Sequence, residues 1–278
     1  MNITRSITPI NPIEFEKTYN FIESYPWLKE KISEYIELRN FCESEEQLEL
    51  INDLISRFVF LTADEFSEKT KILSETVLKR GIQPTDTVFI AVADDKESDG
   101  SQYFMYPFQS QFPNGWKNEN FVGNIVQING IREGFNNIFL IDDFIGSGTK
   151  IKSKYDYAFR ILQERDYKYD VLEVLSIASM EFGLTYLAQN KISVTSILKL
   201  QKGISDYYGN ISRDKLSIMD KLEEKLSHSE KSLCFPYGYN SAEALYCIKN
   251  MRIPNDVFPI FWWEKTKDGD RHTLFRRR

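Results

Sequence analysis

Ile138-Phe139-Leu140-Ile141-Asp142-Asp143-Phe144-Ile145-Gly146-Ser147-Gly148-Thr149-Lys150 decides how the rest of the chain reads. Residues 138 to 141 are consecutively apolar, which fits a strand buried on both faces in a parallel sheet covered by helices. Two carboxylates follow, where that strand is expected to emerge. A turn with two glycines and two hydroxyl side chains comes next, and residues 150–165 have the pattern of a helix. Strand, acid pair, Gly/Ser/Thr turn and helix, in that order, predict an anion site at the carboxyl edge of a parallel sheet. Glycine lets the backbone approach a phosphate. The helix start offers unpaired N–H groups and the positive end of the helix dipole. Carboxylates repel a phosphate, so Asp142 and Asp143 suit sugar hydroxyls, or a divalent cation shared with the ligand.

Outward from that stretch, strands and helices alternate. Residues 87–93 (Thr-Val-Phe-Ile-Ala-Val-Ala), 171–178 and 192–198 read as buried strands, and 181–189 as a helix. The pattern predicts an α/β fold with a doubly wound, mainly parallel sheet. The first strand runs into Asp94-Asp95-Lys96-Glu97-Ser98-Asp99-Gly100-Ser101, a loop with four carboxylates and a single cation. Residues 102–116 are aromatic and turn-rich, and 118–134 are expected to hold a short helix.

Residues 1 to about 80 read as helical. Ser44-Glu45-Glu46-Gln47 and Thr62-Ala63-Asp64-Glu65 are capping boxes, each followed by apolar residues at helical spacing. Lys79-Arg80-Gly81 is a helix stop. Late in the chain, residues 212–227 form an amphipathic pattern, and Asn240 or Ser241 is placed to cap a helix through Ile248. The Tyr237-Gly238-Tyr239-Asn240-Ser241 turn is a candidate second anion or base site, with plain capping as the alternative. The last eight residues contain four arginines, expected to be a solvated end or a contact for phosphates or an acidic partner.

Composition excludes several classes. A formal charge of −6 argues against a general nucleic-acid coat. No apolar run of about 18 residues is present, so no membrane span is expected. Cys42, Cys234 and Cys247 make neither a disulfide framework nor a CxxC metal pair, which suits a reduced, cytoplasmic protein. With only His228 and His272, both read as surface residues, a His-ligated zinc site and a Ser-His-Asp triad are not supported.

The 138–150 stretch resembles the 5-phosphoribosyl-1-pyrophosphate (PRPP) loop of type I phosphoribosyltransferases. The resemblance implies that Asp142 and Asp143 hold the ribose 2′- and 3′-hydroxyls as catalytic residues. It implies that Gly146, Ser147, Gly148 and Thr149 wrap the 5′-phosphate, and that Lys150 adds a point charge to it. Mg²⁺ carried by the ligand, near Asp142 and Asp143, is the implied cofactor. Three positions depart from the pattern: Phe144 is larger than usual, Gly146 replaces a hydroxyl residue, and Lys150 stands where Thr or Ser is expected. The loop with Asp94, Asp95, Lys96, Ser98, Asp99, Gly100 and Ser101 occupies the pyrophosphate position, or that of a metal. Its acidity departs from the basic, glycine-bearing loop of the family. Tyr237, Tyr239 and Ser241 are the candidate base site.

The later residues Gly238, Tyr239, Ser241, Glu243, Ala244 and Leu245, then Pro254, Asn255, Pro259, Trp262 and Trp263, resemble a bacterial conflict-system branch of phosphoribosyltransferase-like proteins. Some of these are encoded beside retron reverse transcriptases. That resemblance implies an antiphage effector that transfers or cleaves at ribose C1, with PRPP or a nucleotide as ligand. Its implied partner is a retron reverse transcriptase with its nucleic acid, or another defence protein. A catalytically degenerate nucleotide sensor is the alternative. Residues 1–82 are then a helical region, and 83–278 the phosphoribosyltransferase-like domain with a C-terminal hood-like segment.

Overall fold

The computed structural model describes residues 11–94, 100–227 and 234–276. Its amino-terminal layer contains helices α1 (Pro12–Ser24), α2 (Ile32–Phe41), α3 (Glu45–Ser56) and α4 (Ala63–Leu78). Both capping signals are used. Ser44 Oγ accepts from the Gln47 N–H, and Thr62 and Glu65 close a reciprocal box. Leu50, Ile51, Leu54 and Ile55 of α3 are buried, as their spacing requires. The layer is not wholly helical, however. Between α3 and α4 runs a short strand, β1 (Val59–Leu61), which the helical reading of residues 1–80 misses. Its partner lies far along the chain, so no local pattern announces it.

The α/β part follows as β2 (Thr87–Ala91), α5 (Gly100–Gln109), β3 (Phe121–Val122), β4 (Asn137–Ile145), α6 (Thr149–Glu164), β5 (Val171–Met180), α7 (Glu181–Gln189) and β6 (Val194–Leu200). The sheet order is β3-β2-β4-β5-β6, and every pair is parallel. Period-two alternation sorts its two faces. Phe89, Ala91, Phe139, Ile141 and Leu175 pack toward the amino-terminal layer. Val88, Ile90, Ile138, Leu140 and Val174 pack with Ile151, Ala158 and Leu162 of α6. The aromatic stretch after residue 101 is turn-rich only in its second part, residues 110–115. Its first part forms α5, whose Phe108 packs edge-on to Phe89, with Phe112, Trp116 and Phe121 around the same ring. Within 118–134, the expected helix is two 3-10 turns flanking the edge strand β3.

Connections from β2 lead outward to β3, and those from β4 lead the other way to β5 and β6. The crevice outside the carboxyl ends of β2 and β4 is therefore the switch point, where ligands bind in open α/β sheets.

The chain continues with α8 (Ser212–Glu223), a turn at Tyr239–Ser241, strand β7 (Tyr246–Ile248) and a small hairpin of β8 (Lys265–Thr266) and β9 (Gly269–Asp270). The helix expected through Ile248 is absent. β7 pairs in parallel with β1, Val59 opposite Tyr246, and so ties the amino-terminal layer to the C-terminal segment. One hydrophobic cluster contains Leu54, Val77, Phe89, Ile141, Phe258 and Phe261, crossing the 82/83 position.

The tail, expected to be frayed, is packed as far as Phe275. Arg271 is buried, with Nε donating to the Trp263 carbonyl at 3.1 Å. Phe275 stacks on Phe58 and Trp27, with centroids 4.9 and 5.7 Å apart. Phe275→Ala is expected to lower unfolding free energy by about 3–5 kcal/mol in a urea titration, the range for deleting a buried phenyl ring. A loss below about 1 kcal/mol would mean the tail packs only loosely. Among the described residues, no helix is long and apolar enough to cross a membrane.

Candidate functional site

β4 runs four residues further than its apolar core, to Ile145 opposite Ser179 of β5. The acid pair thus lies inside the strand rather than beyond it. β2 has already ended at Ala91, so this last part of β4 borders the open crevice. The two acids diverge. Asp142 is buried and receives Lys150 Nζ at 3.2 Å and the Asp143 N–H at 3.1 Å. Asp143 is half-buried and leans toward α5, where a Cβ added to Gly100 would fall 2.2 Å from its Oδ1. The helix start there offers positive potential to that carboxylate.

After Ile145 the chain turns through Gly146, Ser147 and Gly148 into α6, with Gly148 at φ +79° as the N-cap. That left-handed value favours glycine, and a Cβ there would also meet the Gly183 carbonyl oxygen at 3.0 Å. Gly183, in the first turn of α7, supports the loop from behind: a Cβ on it would fall 2.0 Å from the Gly146 carbonyl oxygen. Ser147 and Thr149 hydroxyls lie 3.0 Å apart, and Asn240 Nδ2 donates to Ser147 Oγ at 3.1 Å. Around this loop is a cavity of about 390 Å³, walled by residues 144–151 with Asp142, Tyr239, Asn255 and Asp256.

Each departure from the phosphoribosyltransferase pattern has a structural counterpart. Phe144 stacks on Tyr246 of β7, centroids 5.0 Å apart, joining the loop to the C-terminal segment. Burial, reinforced by Asp143, holds the Tyr246 phenol well above its ordinary pKa. Lys150 reaches back to Asp142. Gly146 leaves room for Asp256, whose Oδ1 lies 1.8 Å from where a Cβ at 146 would be. Asp256 and Gly183 were not singled out in the sequence. Their contacts with the loop come from distant segments, and nothing local marks either residue.

The other candidate residues are dispersed. Asp94 pairs with Lys154 of α6. Gly100 opens α5, and the buried Ser101 hydroxyl accepts the Ala93 N–H at 3.1 Å. Asp95, Lys96, Ser98 and Asp99 lie outside the described residues. Of the candidate base-site residues, Tyr239 lines the cavity. Tyr237 turns toward α8, its hydroxyl donating to Asp220 and its N–H to Glu223 Oε2 at 2.9 Å. Ser241 is exposed at the end of the turn. Among the described residues, no group of three or more His, Cys, Asp or Glu side chains forms a metal cluster. Cys42, Cys234 and Cys247 form no disulfide among the described residues. His272 is exposed, and His228 lies outside the described residues.

Glu223 anchors the segment that carries Tyr239. Burial pushes its carboxyl up to about 8, against the opposing Tyr237 N–H. Its Oε1 has no hydrogen-bond partner among the described residues. The folded value lies above the unfolded one, so the folded state retains a proton that unfolding releases. That contribution to stability is full below the unfolded pKa of 4.5 and is lost as pH rises through about 8. Unfolding free energy is expected to fall across that window, and Glu223→Gln to flatten the fall. An unchanged slope in the variant would contradict the assignment.

The fold and this cavity define a class: an α/β protein with a glycine-rich turn and paired acids at the switch point of a parallel sheet. The PRTase-CE family model matches residues 29–277, and the chain belongs to that phosphoribosyltransferase-like family. No curated protein matches it. Among solved structures, the chain is similar to the orotate phosphoribosyltransferase of Aeropyrum pernix, with 16% identity over 49% of this chain and 71% of that one, TM-score 0.32. It is similar to the Mycobacterium tuberculosis H37Rv orotate phosphoribosyltransferase in complex with inorganic phosphate, with 12% identity over 59% and 93%, TM-score 0.34. For the same enzyme in complex with PRPP the values are 10%, 59%, 94% and 0.33.

Proposed function

We propose that the chain binds PRPP or a ribose-5-phosphate nucleotide in the 390 Å³ cavity and acts at ribose C1, by transfer or by cleavage. The main support is the loop from Gly146 to Lys150, folded around that cavity at the start of α6 with Asp142 in its wall and Asp143 next to it along β4. Backbone N–H groups at a helix start suit a phosphate. The half-exposed Asp143 carboxylate, at the open end of β4, suits ribose hydroxyls. Lys150 neutralises Asp142 and stands within reach of the same cavity, so it can shift its charge toward an arriving phosphate.

Reaction at C1 builds positive charge on the sugar ring. The acids would stabilise that charge by position, and the loop would hold the phosphate still. Magnesium fits this donor set as a ligand-borne ion, since it is held by one or two carboxylates and the substrate's own oxygens. Bound so, it would neutralise the leaving group, with Asp142 and Asp143 as the carboxylates that would hold it.

The biological role we propose is that of an effector in antiphage defence, beside a retron reverse transcriptase or another defence protein. One observation favours the alternative of a nucleotide sensor without turnover: the loop at the pyrophosphate position carries four carboxylates and one cation, which repel a pyrophosphate. Incubation of the protein, with and without its genomic neighbours, with labelled PRPP and a nucleotide panel tests both. Turnover supports the enzyme, binding without turnover supports the sensor, and neither result supports a third reading of the site.

A further inference from the structure

A second cavity, of about 380 Å³, opens at the carboxyl ends of β5 and β6 and shares no wall residue with the first. Its volume is within the range of small-molecule sites. The wall carries three cations, Arg57, Lys199 and Lys202, and one carboxylate, Glu181. Tyr207, more than half exposed, stands beside them. Three further acids, Asp53, Asp206 and Glu243, contact these cations or their backbone from outside the wall.

Those outer acids are spent on internal donors. Asp53 Oδ2 accepts from Arg57 Nε and Nη2 at 3.1 and 2.6 Å, and Arg57 Nη1 donates to the Gly203 carbonyl at 2.9 Å. The guanidinium also lies 3.6 Å from the centroid of the Tyr207 ring, so Arg57 is a fixed part of the wall. Glu243 accepts from the N–H groups of Ile204 and Ser205 at 2.9 and 2.7 Å and from the Ser205 hydroxyl. Lys202 Nζ stands 3.8 Å from Glu243, beyond hydrogen-bond range, and over the Phe182 ring. Asp206 accepts the Lys202 backbone N–H at 3.0 Å. Among the described residues, the Lys199 ammonium makes no ion pair or hydrogen bond, and neither does the carboxylate of Glu181, which opens α7. Opposite charges that line one cavity without pairing are charges that a ligand can join.

We infer that this second cavity binds a nucleoside phosphate. The ammonium groups of Lys199 and Lys202 are point charges that suit its phosphate. The Glu181 carboxylate accepts and does not donate, so it suits hydroxyl or amino groups of the sugar and base. Tyr207, steadied by Arg57 on its ring, is exposed enough to stack a base. Inorganic phosphate would satisfy the lysines and leave the ring unused, and an unphosphorylated nucleoside would do the reverse. The inference goes beyond the proposed function and requires nothing of the 146–150 loop.

Isothermal titration of the full chain with AMP, GMP, CMP and UMP, each with ribose 5-phosphate in excess to fill the first cavity, tests this. At least one nucleotide is expected to bind, and to bind at least about tenfold more tightly than its nucleoside. Lys199→Gln with Lys202→Gln is expected to weaken that nucleotide at least about tenfold, the loss of charge-assisted hydrogen bonds. Tyr207→Leu is expected to weaken it at least about fivefold, the loss of a stacked base. Melting curves and the affinity for ribose 5-phosphate are recorded for each variant, since α7 carries both Glu181 and the Gly183 that backs the first loop. Lys199→Gln alone, at an exposed position, replaces the double variant if that one melts early. Unchanged nucleotide affinity in the folded variants, or no nucleotide bound by wild type while ribose 5-phosphate binds, overturns the inference and leaves the proposed function standing. If ribose 5-phosphate does not bind, the nucleotides are titrated alone: weaker binding by the lysine variants then supports the second cavity while the proposed function falls, and unchanged binding overturns both.

Discussion

Alanine at position 183 is expected to weaken ribose 5-phosphate binding about ten- to a hundredfold, the cost of weakening a hydrogen bond to a charged group, about 1.5–3 kcal/mol. Gly183 stands in the first turn of α7, directly behind the Gly146–Lys150 loop. Its missing Cβ would sit 2.0 Å from the Gly146 carbonyl oxygen and 3.2 Å from the Gly146 carbonyl carbon. Ordinary contact needs more than an ångström of additional room, and the opposing atoms are backbone rather than the flexible end of a side chain. The loop has to shift, and hydrogen bonds from its N–H groups weaken steeply with distance and angle. Stability responds less. Gly to Ala gains up to about 1 kcal/mol of helix propensity, set against an overpacking strain of about 1–3 kcal/mol. A variant that melts within a few degrees of wild type yet no longer titrates with ribose 5-phosphate would localise the defect to the loop. Affinity within threefold of wild type would mean that the loop does not hold the phosphate.

The second large effect is expected at the acid pair. Asp142→Asn with Asp143→Asn should reduce turnover of any accepted substrate by at least about a thousandfold (about 4 kcal/mol), because preorganised charge at the reacting sugar is lost. The fold is expected to persist. Asp142 is buried but its partner Lys150 is nearly half exposed, so neutralising the acid does not strand a buried cation. Losing the Asp143 charge at the start of α5 is worth about 0.3–1 kcal/mol. Phosphate affinity is expected to hold or rise, since Lys150 is then released toward the cavity. Ribose 5-phosphate should lose its advantage over inorganic phosphate. A double variant that keeps wild-type turnover would remove the acids from the mechanism. If wild type has no turnover and the double variant changes only affinity, the sensor reading gains.

What the sequence discloses follows the range of the forces involved. The capping boxes at Ser44 and Thr62, the buried face of α3 and the order of strands and helices from β4 to β6 are local patterns, and local patterns are readable. The strand, acid pair and glycine turn were legible for the same reason, although α6 opens at Thr149 behind a Gly148 cap, one residue earlier than its pattern suggests. β1 and β7 were not, because three residues pair with three others near the opposite end of the chain. The aromatic run after residue 101 reads as turns from its prolines, yet Phe108 packs on Phe89 and Phe104 on Phe108, closely enough for packing to favour a helix through Pro107 as far as Gln109. At the site, sequence supplies the loop, whereas tertiary structure supplies its supports: Gly183 behind, Asp256 above and Tyr246 beneath Phe144. The three unusual residues of the motif, Phe144, Gly146 and Lys150, are the ones these supports or the acid pair contact. Their oddity was visible in the sequence, and their partners were not.

A crystal structure of the chain soaked with ribose 5-phosphate tests the central claim most directly. The account predicts the phosphate at the start of α6, within hydrogen-bond distance of N–H groups of residues 147–150, with ribose hydroxyls turned toward Asp143. A sugar phosphate bound elsewhere at full occupancy, with the 146–150 loop empty, would contradict it.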